Sequence, residues 1–377
     1  MADLTLSFDP GASLTKVIYE LGNEETIRLL LMEPEMIQLP QSSIESYLVN
    51  RQGVGQARPE NEAWVQCAGE SECQVVGFLA RQFLASPRLN RLKYESTLHK
   101  VLAAVGAIAQ SSGLPNRFSL ALVTPLPYGE YRNHPQLKAH LQKALKDFRF
   151  RGQRFKVKLE SFNCLPEGAG LALIQCQQNG VEWFQRQAIA VLMFGHRNTT
   201  ALIFERGKMT AGHTTNLGFH QLVQQAIERT SGQELVSLTA AIYEAGTELT
   251  PNNPVLQSLV KSHNPDNQVV ELKQLIGAIA TARVEYWRRL QEWLDAVLPR
   301  TITQVVLSGG AAMYLYQELE DYFPSTPTYW GMDLQHQIEQ ILGLDYRSCQ
   351  SGKESLSFRL VDGFGLFLKF RATQSAV

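Results

Sequence analysis

Asp9-Pro10-Gly11-Ala12-Ser13-Leu14-Thr15-Lys16 joins two runs patterned as β-strands, residues 4–8 (Leu-Thr-Leu-Ser-Phe) and residues 14–21. Asp-Pro-Gly is strong turn chemistry, because proline presets one backbone angle and glycine tolerates the sharp bend. The spacing predicts a hairpin, and residues 27–32 predict a third strand after the polar break at residues 22–25. The turn has a second reading. Backbone N–H groups at Gly11, Ala12 and Ser13 can form a concavity for phosphate oxygens. Asp9 can hold the water around Mg2+, and Lys16 can reach a terminal phosphate as a point charge. An ordinary hairpin accounts for the same residues.

The plan returns in the second half. Residues 188–194 read as a buried strand, Gly195–Asn198 as a turn and residues 199–205 as the returning strand, before a third short strand. Gly195 supplies the bend, while Arg197, Asn198 and Thr199 offer polar groups. A third glycine turn, Ser308-Gly309-Gly310, follows a strand predicted at 303–307 and precedes a helix. That is a place where backbone approaches a planar ligand or a phosphate. Leu165-Pro166-Glu167-Gly168-Ala169-Gly170 opens another helix. Glu167 there serves either as helix-start chemistry or as the carboxylate that orients a water.

Between these turns, apolar periodicity predicts helices at 92–110, 134–148, 219–230, 255–262 and 269–298, and strands at 118–123 and 155–159. Residues 41–75, with Gly53, Gly55 and Pro59 in a loop, read as a small insertion. Strand meanders opening each half, interleaved with helices, predict two α/β domains with a cleft between them. The expected bounds are 1–165 plus about 345–377, with an insertion over about 41–90, and 166–344, with a helical insertion over about 219–298.

Composition narrows the function classes. In 377 residues, 44% hydrophobic and 19% charged, the net charge is -1, so no overall basic signature points to direct DNA or membrane binding. Lys143, Lys146, Arg149, Arg151, Arg154, Lys156 and Lys158 crowd one segment that reads as a helix end and a solvated strand. Five cysteines without Cys-x-x-Cys spacing indicate neither a disulfide framework nor a zinc site and suit a reducing cytoplasm. The first residues carry no basic, apolar leader, and the longest apolar run is far below the roughly 20 residues of a membrane helix.

Taken in order, the phosphate-type turn near residue 9, the Pro-Glu-Gly-Ala helix start near 167, the second turn near 195 and the Gly-Gly turn near 309 resemble the functional loops of the actin, sugar-kinase and heat-shock-chaperone ATPase superfamily. The resemblance extends to Thr124-Pro125-Leu126-Pro127, Asn216-Leu217-Gly218 and Val361-Asp362-Gly363-Phe364-Gly365. Within it the chain looks most like the ParM/StbA group of plasmid-segregation actin-like proteins. That likeness implies a duplicated, ribonuclease-H-like two-domain fold with the nucleotide cleft between the domains. It implies ATP/ADP with Mg2+ on Asp9, phosphate loops at Gly11, Ala12, Ser13 and Lys16 and at Gly195, Arg197, Asn198 and Thr199, and adenosine beside Ser308, Gly309 and Gly310. Glu167 and Asp9 become the catalytic acids. It further implies head-to-tail filaments released by hydrolysis or nucleotide loss and, with the net charge near zero, DNA reached through an adaptor protein rather than gripped directly.

One residue departs from the pattern. Met193 stands where the group places the second-loop aspartate, and no Asp occurs between Asp147 and Asp266. A thioether does not replace a carboxylate for a hard cation. A small-molecule kinase, which needs a catalytic Asp near that loop, is therefore disfavoured. Either hydrolysis is slow, or Glu167 and Asp9 suffice for it, or the chain is a non-hydrolysing scaffold that binds nucleotide without much turnover.

Overall fold

A computed structural model describes residues 2–22, 24–50, 57–86, 89, 91–344 and 355–375. Gly53, Gly55 and Cys349 lie outside them. The described residues divide into two compact units, one drawn from Met1–Asn179, Asp333–Leu344 and Leu360–Val377, the other from Gly180–Met332 and Asp345–Arg359.

The first unit is built on a nine-stranded sheet. Its strands are β1 (Leu4–Asp9), β2 (Thr15–Leu21), β3 (Arg28–Met32), β4 (Met36–Pro40), β5 (Trp64–Cys67), β6 (Glu72–Val76), β7 (Arg117–Leu126), β8 (Phe148–Phe150) and β9 (Gln153–Pro166). They lie in the order β3-β2-β1-β7-β9-β8-β5-β6-β4. β1 has apolar or small residues on both faces and is buried on both, as a central strand must be. It pairs antiparallel with β2 and parallel with β7, and β7 runs parallel to β9. The helices Lys93–Ser112 and His134–Leu145 contribute to the core against this sheet. The first has an almost fully buried run from Val101 to Ala109. The 41–75 region is not a loose loop among its described residues. It contributes β5 and β6 and the helix Gln41–Asn50, and β5 joins the main sheet through β8. The basic segment is largely partnered: Arg151 bonds Glu62, and Arg154 bonds Asp147.

The second unit has five strands, β10 (Ala188–Phe194), β11 (Thr199–Glu205), β12 (Lys208–Thr215), β13 (Gln304–Ser308) and β14 (Thr328–Tyr329), in the order β12-β11-β10-β13-β14. β10 is antiparallel to β11 and parallel to β13, and β13 is parallel to β14. This is the order and sense of β3-β2-β1-β7-β9 repeated, so the duplicated, ribonuclease-H-like α/β plan expected from sequence is present in the strand pairing itself. Alternate residues Ala190, Leu192 and Phe194 of β10 enter the core with the helices Phe219–Glu228 and Pro265–Val297.

Several boundaries differ from expectation for identifiable reasons. The long helix starts at Pro265, four residues before the predicted start, because Asn264 accepts from the Asp266 N–H and Pro265 fits the first turn. The helix predicted at 255–262 stops at Gln257. Beyond it the N–H groups of Lys261 and Ser262 donate to the Glu271 carboxylate instead of continuing a helix. The helix Leu235–Ala245 and strand β8 were not anticipated. The first unit runs past the expected limit at 165, through the helix Ala169–Asn179.

Candidate functional site

In the first unit the hairpin forms as read. Asp9 ends β1 and faces Lys16 of β2 in register, with Lys16 Nζ 2.6 Å from Asp9 Oδ2. The Gly11 N–H donates to the Asp9 carbonyl at 2.8 Å. A β-carbon at Gly11 would collide with the Leu14 carbonyl, so this tight turn requires glycine. Gly11 is buried, Ala12 half-buried and Ser13 exposed.

Glu167 follows β9 directly, and its N–H donates to the Leu126 carbonyl at 2.8 Å at the end of β7. The sequence reading missed its partner. Lys93 Nζ forms a salt bridge with Glu167 Oε1, and both residues are only 8% exposed, so solvent screens the pair little. Lys93 is the first residue of its helix, where a cation opposes the helix dipole. That misfit was the one available signal. Burial works against the Lys93 charge, but Glu167, Asp9 and Glu130 more than compensate and raise its pKa. Lys100, two turns on, is buried near the Lys93 charge, and burial followed by that repulsion brings it down to about 8.

Asp362 completes the group. Its carboxylate accepts from the Gly168 N–H at 2.9 Å and the Gly170 N–H at 2.8 Å, fixing the turn that presents Glu167. Burial, then the nearby charges of Asp9 and Glu167, push its pKa up to about 7 against the pull of those two N–H groups. The motif containing Asp362 was visible in sequence, but its bracing role needed the contact. The first unit therefore gathers Asp9, Glu167 and Asp362 with Lys16 and Lys93 around one end of β1, β7 and β9.

In the second unit the Gly195 N–H donates to the Asn198 carbonyl at 2.9 Å, closing the turn between β10 and β11. Asn198, Thr199 and Thr200 are buried, while Arg197 is half-buried. The Thr199 hydroxyl donates to the Leu217 carbonyl at 2.7 Å, so its side chain serves the fold. His220 N–H and Nδ1 contact the His196 carbonyl at 2.9 and 3.0 Å. Burial first, then His220 and Arg359, bring the His196 pKa down to about 4.

The Gly-Gly turn divides its duties. Gly309 has φ +95°, and a β-carbon there would collide with the Phe194 backbone. At Gly310 a β-carbon would meet only the Arg359 side chain, at 3.6 Å, an ordinary contact. Gly310 is thus not demanded by the protein's own packing. Ser308 is buried and its hydroxyl makes no hydrogen bond within the protein. Together with the backbone turns, that orphaned donor fits a polar ligand better than a closed core. Met193 pairs with Thr200 and Ser308 across the strands, is half-buried, and faces away from the core that takes Leu192 and Phe194.

No family model and no curated protein sequence matches the chain. Solved structures do. The actin-like protein Alp7A is 12% identical over 99% of this chain and 96% of its own, with a TM-score of 0.61. The chain has the actin-like fold. A 15-stranded ParM filament from Clostridium botulinum is 14% identical over 99% of this chain and 100% of its own, TM-score 0.59. An archaeal actin homologue is 13% identical over 98% and 99%, TM-score 0.55. At such identities the likeness carries the fold alone. Among the described residues of this actin-like chain, no helix is long and apolar enough to cross a membrane.

Proposed function

We propose that the chain is a nucleotide-binding actin-like protein that assembles head to tail into filaments and moves DNA, as in plasmid segregation, through an adaptor protein. The observation that carries the reading is the repeated sheet, with a glycine hairpin turn after the first strand of each copy, at Gly11 and at Gly195. The filament named in the Clostridium botulinum structure supports the assembly part. A head-to-tail contact that does not close on itself generates an open filament.

In this reading Lys16 and the backbone from Gly11 to Ser13 hold terminal phosphates, with Gly195, Arg197, Asn198 and Thr199 forming the second phosphate loop. Ser308, Gly309 and Gly310 flank the adenosine of ATP or ADP, and Asp9 holds Mg2+, which when bound neutralises phosphate charge. The donor set fits the metal only thinly, because Asp9 is already engaged by Lys16 and the second unit offers Met193. Glu167 would orient water through its carboxylate, one oxygen of which Lys93 already engages. Both features favour slow turnover, with a non-hydrolysing filament or scaffold as the limiting case.

The test is light scattering and sedimentation of purified protein at tens of micromolar with ATP and Mg2+, with ADP, and without nucleotide. ATP-dependent scattering, with turnover measured in parallel, is the expected result. Bound ATP without assembly would remove the filament from the reading, and no ATP binding would remove the nucleotide site.

A further inference from the structure

We propose a zinc site, separate from the charged group around Glu167, formed by Cys67, Glu70 and His99. One ligand atom from each (the Cys67 Sγ, a Glu70 carboxylate oxygen and a His99 ring nitrogen) lies within 4.8 Å of the other two. Cys67 and His99 are half-buried, and Glu70 is exposed.

The backbone presents two of these ligands as a unit. Cys67 ends β5, and Cys67-Ala68-Gly69-Glu70 is a tight turn closed by the Glu70 N–H on the Cys67 carbonyl at 3.1 Å. Gly69 takes φ +85°, the left-handed position that such a turn reserves for glycine. Gln66 Nε2 braces the turn on the Glu70 carbonyl at 3.0 Å. Two ligands three residues apart on a glycine turn is the spacing of a Cys-x-x-Cys zinc knuckle, with a carboxylate in place of the second thiolate. The sequence hides this because the third ligand is far along the chain. His99 comes from the helix Lys93–Ser112, which packs beside β5.

Thiolate, imidazole and carboxylate together suit Zn2+ rather than Mg2+ or Ca2+. Tetrahedral zinc holds neighbouring ligand atoms about 3.5 Å apart, so side-chain rotation of about 1 Å closes the set. Coordination forms a sulfur–metal bond in place of the Cys67 S–H bond, and the proton leaves to solvent. Solvent supplies the fourth ligand. Bound metal would pin the β5–β6 turn to the helix whose first residue pairs with Glu167.

The experiment uses the full chain, stripped with chelator and titrated with Zn2+ against a chromophoric competitor and with Co2+ for its spectrum. One equivalent per chain is expected, with a thiolate-to-cobalt charge-transfer band and a higher melting temperature with zinc. Cys67→Ser and His99→Ala are each expected to weaken binding at least tenfold and to abolish or shift that band. Glu70→Gln is expected to weaken binding less, and Cys176→Ser, at a half-buried cysteine of the helix Ala169–Asn179 outside the cluster, to leave it unchanged. Circular dichroism establishes that each variant is folded, and His99→Gln substitutes for any that is not. Sub-stoichiometric uptake, or uptake indifferent to Cys67→Ser and the His99 variants, would overturn the site. Neither result bears on nucleotide binding.

Discussion

Replacing Lys93 by Met removes the ammonium but keeps most of the side-chain volume, and so isolates the charge. Glu167 would then be a carboxylate 8% exposed, near Asp9 and Asp362, with its salt-bridge partner gone. Breaking one side of a buried ion pair typically costs about 3–5 kcal/mol, because the remaining charge must be buried unpaired or neutralised. Replacing both partners is far cheaper, since the pair's attraction was largely spent on its own desolvation. Lys93→Met is therefore expected to destabilise the first unit by about 3–5 kcal/mol, and Lys93→Met with Glu167→Gln by about 2 kcal/mol less than that. Urea denaturation followed by hydrogen exchange of the β1, β7 and β9 amides reads the first unit's transition even if the two units unfold separately. A single-variant cost below about 1 kcal/mol, or a double variant no better than the single, would show a solvent-screened pair. Lys93 and Glu167 would then not be a buried, weakly screened ion pair.

Gly309 and Gly310 are expected to part company. Gly309→Val is predicted to impair folding through its collision with the Phe194 backbone, whereas Gly310→Val is predicted to fold and to lose at least ~1.4 kcal/mol, about tenfold, of ATP affinity by calorimetry. Unchanged affinity removes that turn from the site. Asp362 holds its proton up to about 7 when folded and releases it near 3.8 when unfolded, so the folded state binds more protons between those values. Its contribution to stability is full below the lower value and falls as pH rises through the window, by about 4 kcal/mol in all. The stability of the parent relative to Asp362→Asn is thus expected to decline between about pH 4 and 7 and then level off, and parallel profiles would refute it. Met193→Asp is expected to raise single-turnover ATP hydrolysis severalfold and to steepen its Mg2+ dependence, and Glu167→Ala to abolish the parent's turnover. Identical rates in parent and Met193→Asp would leave Met193 as packing.

Strands were legible where residues 4–8 and 188–194 gave short apolar runs bounded by turn residues, and the Gly11 and Gly195 turns followed from the same local chemistry. The repeat was legible for the same reason, because each copy opens on a strand, a glycine turn and a strand. β8 was not, since Phe148-Arg149-Phe150 is too short to show a period and is strand only because β5 and β9 flank it. The helix Leu235–Ala245 is apolar around much of its circumference, which blurs the stripe that periodicity needs. Lys93 and Asp362 were hidden as a pair of partners because their meaning lies in contacts across 74 and 192 residues. A single sequence shows a charge but not the charge that answers it.

The duplication also shows where this chain has diverged from itself. In one copy the strand beside the glycine turn reads Asp9-Pro10-Gly11, and in the other Met193-Phe194-Gly195. Both positions pair across to the returning strand, Asp9 with Lys16 and Met193 with Thr200. The first pair is an ion pair and the second is uncharged. In the first unit, Asp9, Glu167 and Asp362 face the fixed cations Lys16 and Lys93, and Asp362 is the acid pushed toward neutrality. Adding a carboxylate at 193 would place it beside the buried, unpartnered Ser308 hydroxyl, which can donate to it. The second unit can thus accept an acid without leaving it wholly unsolvated. That is why Met193→Asp is a fair test of turnover rather than of folding.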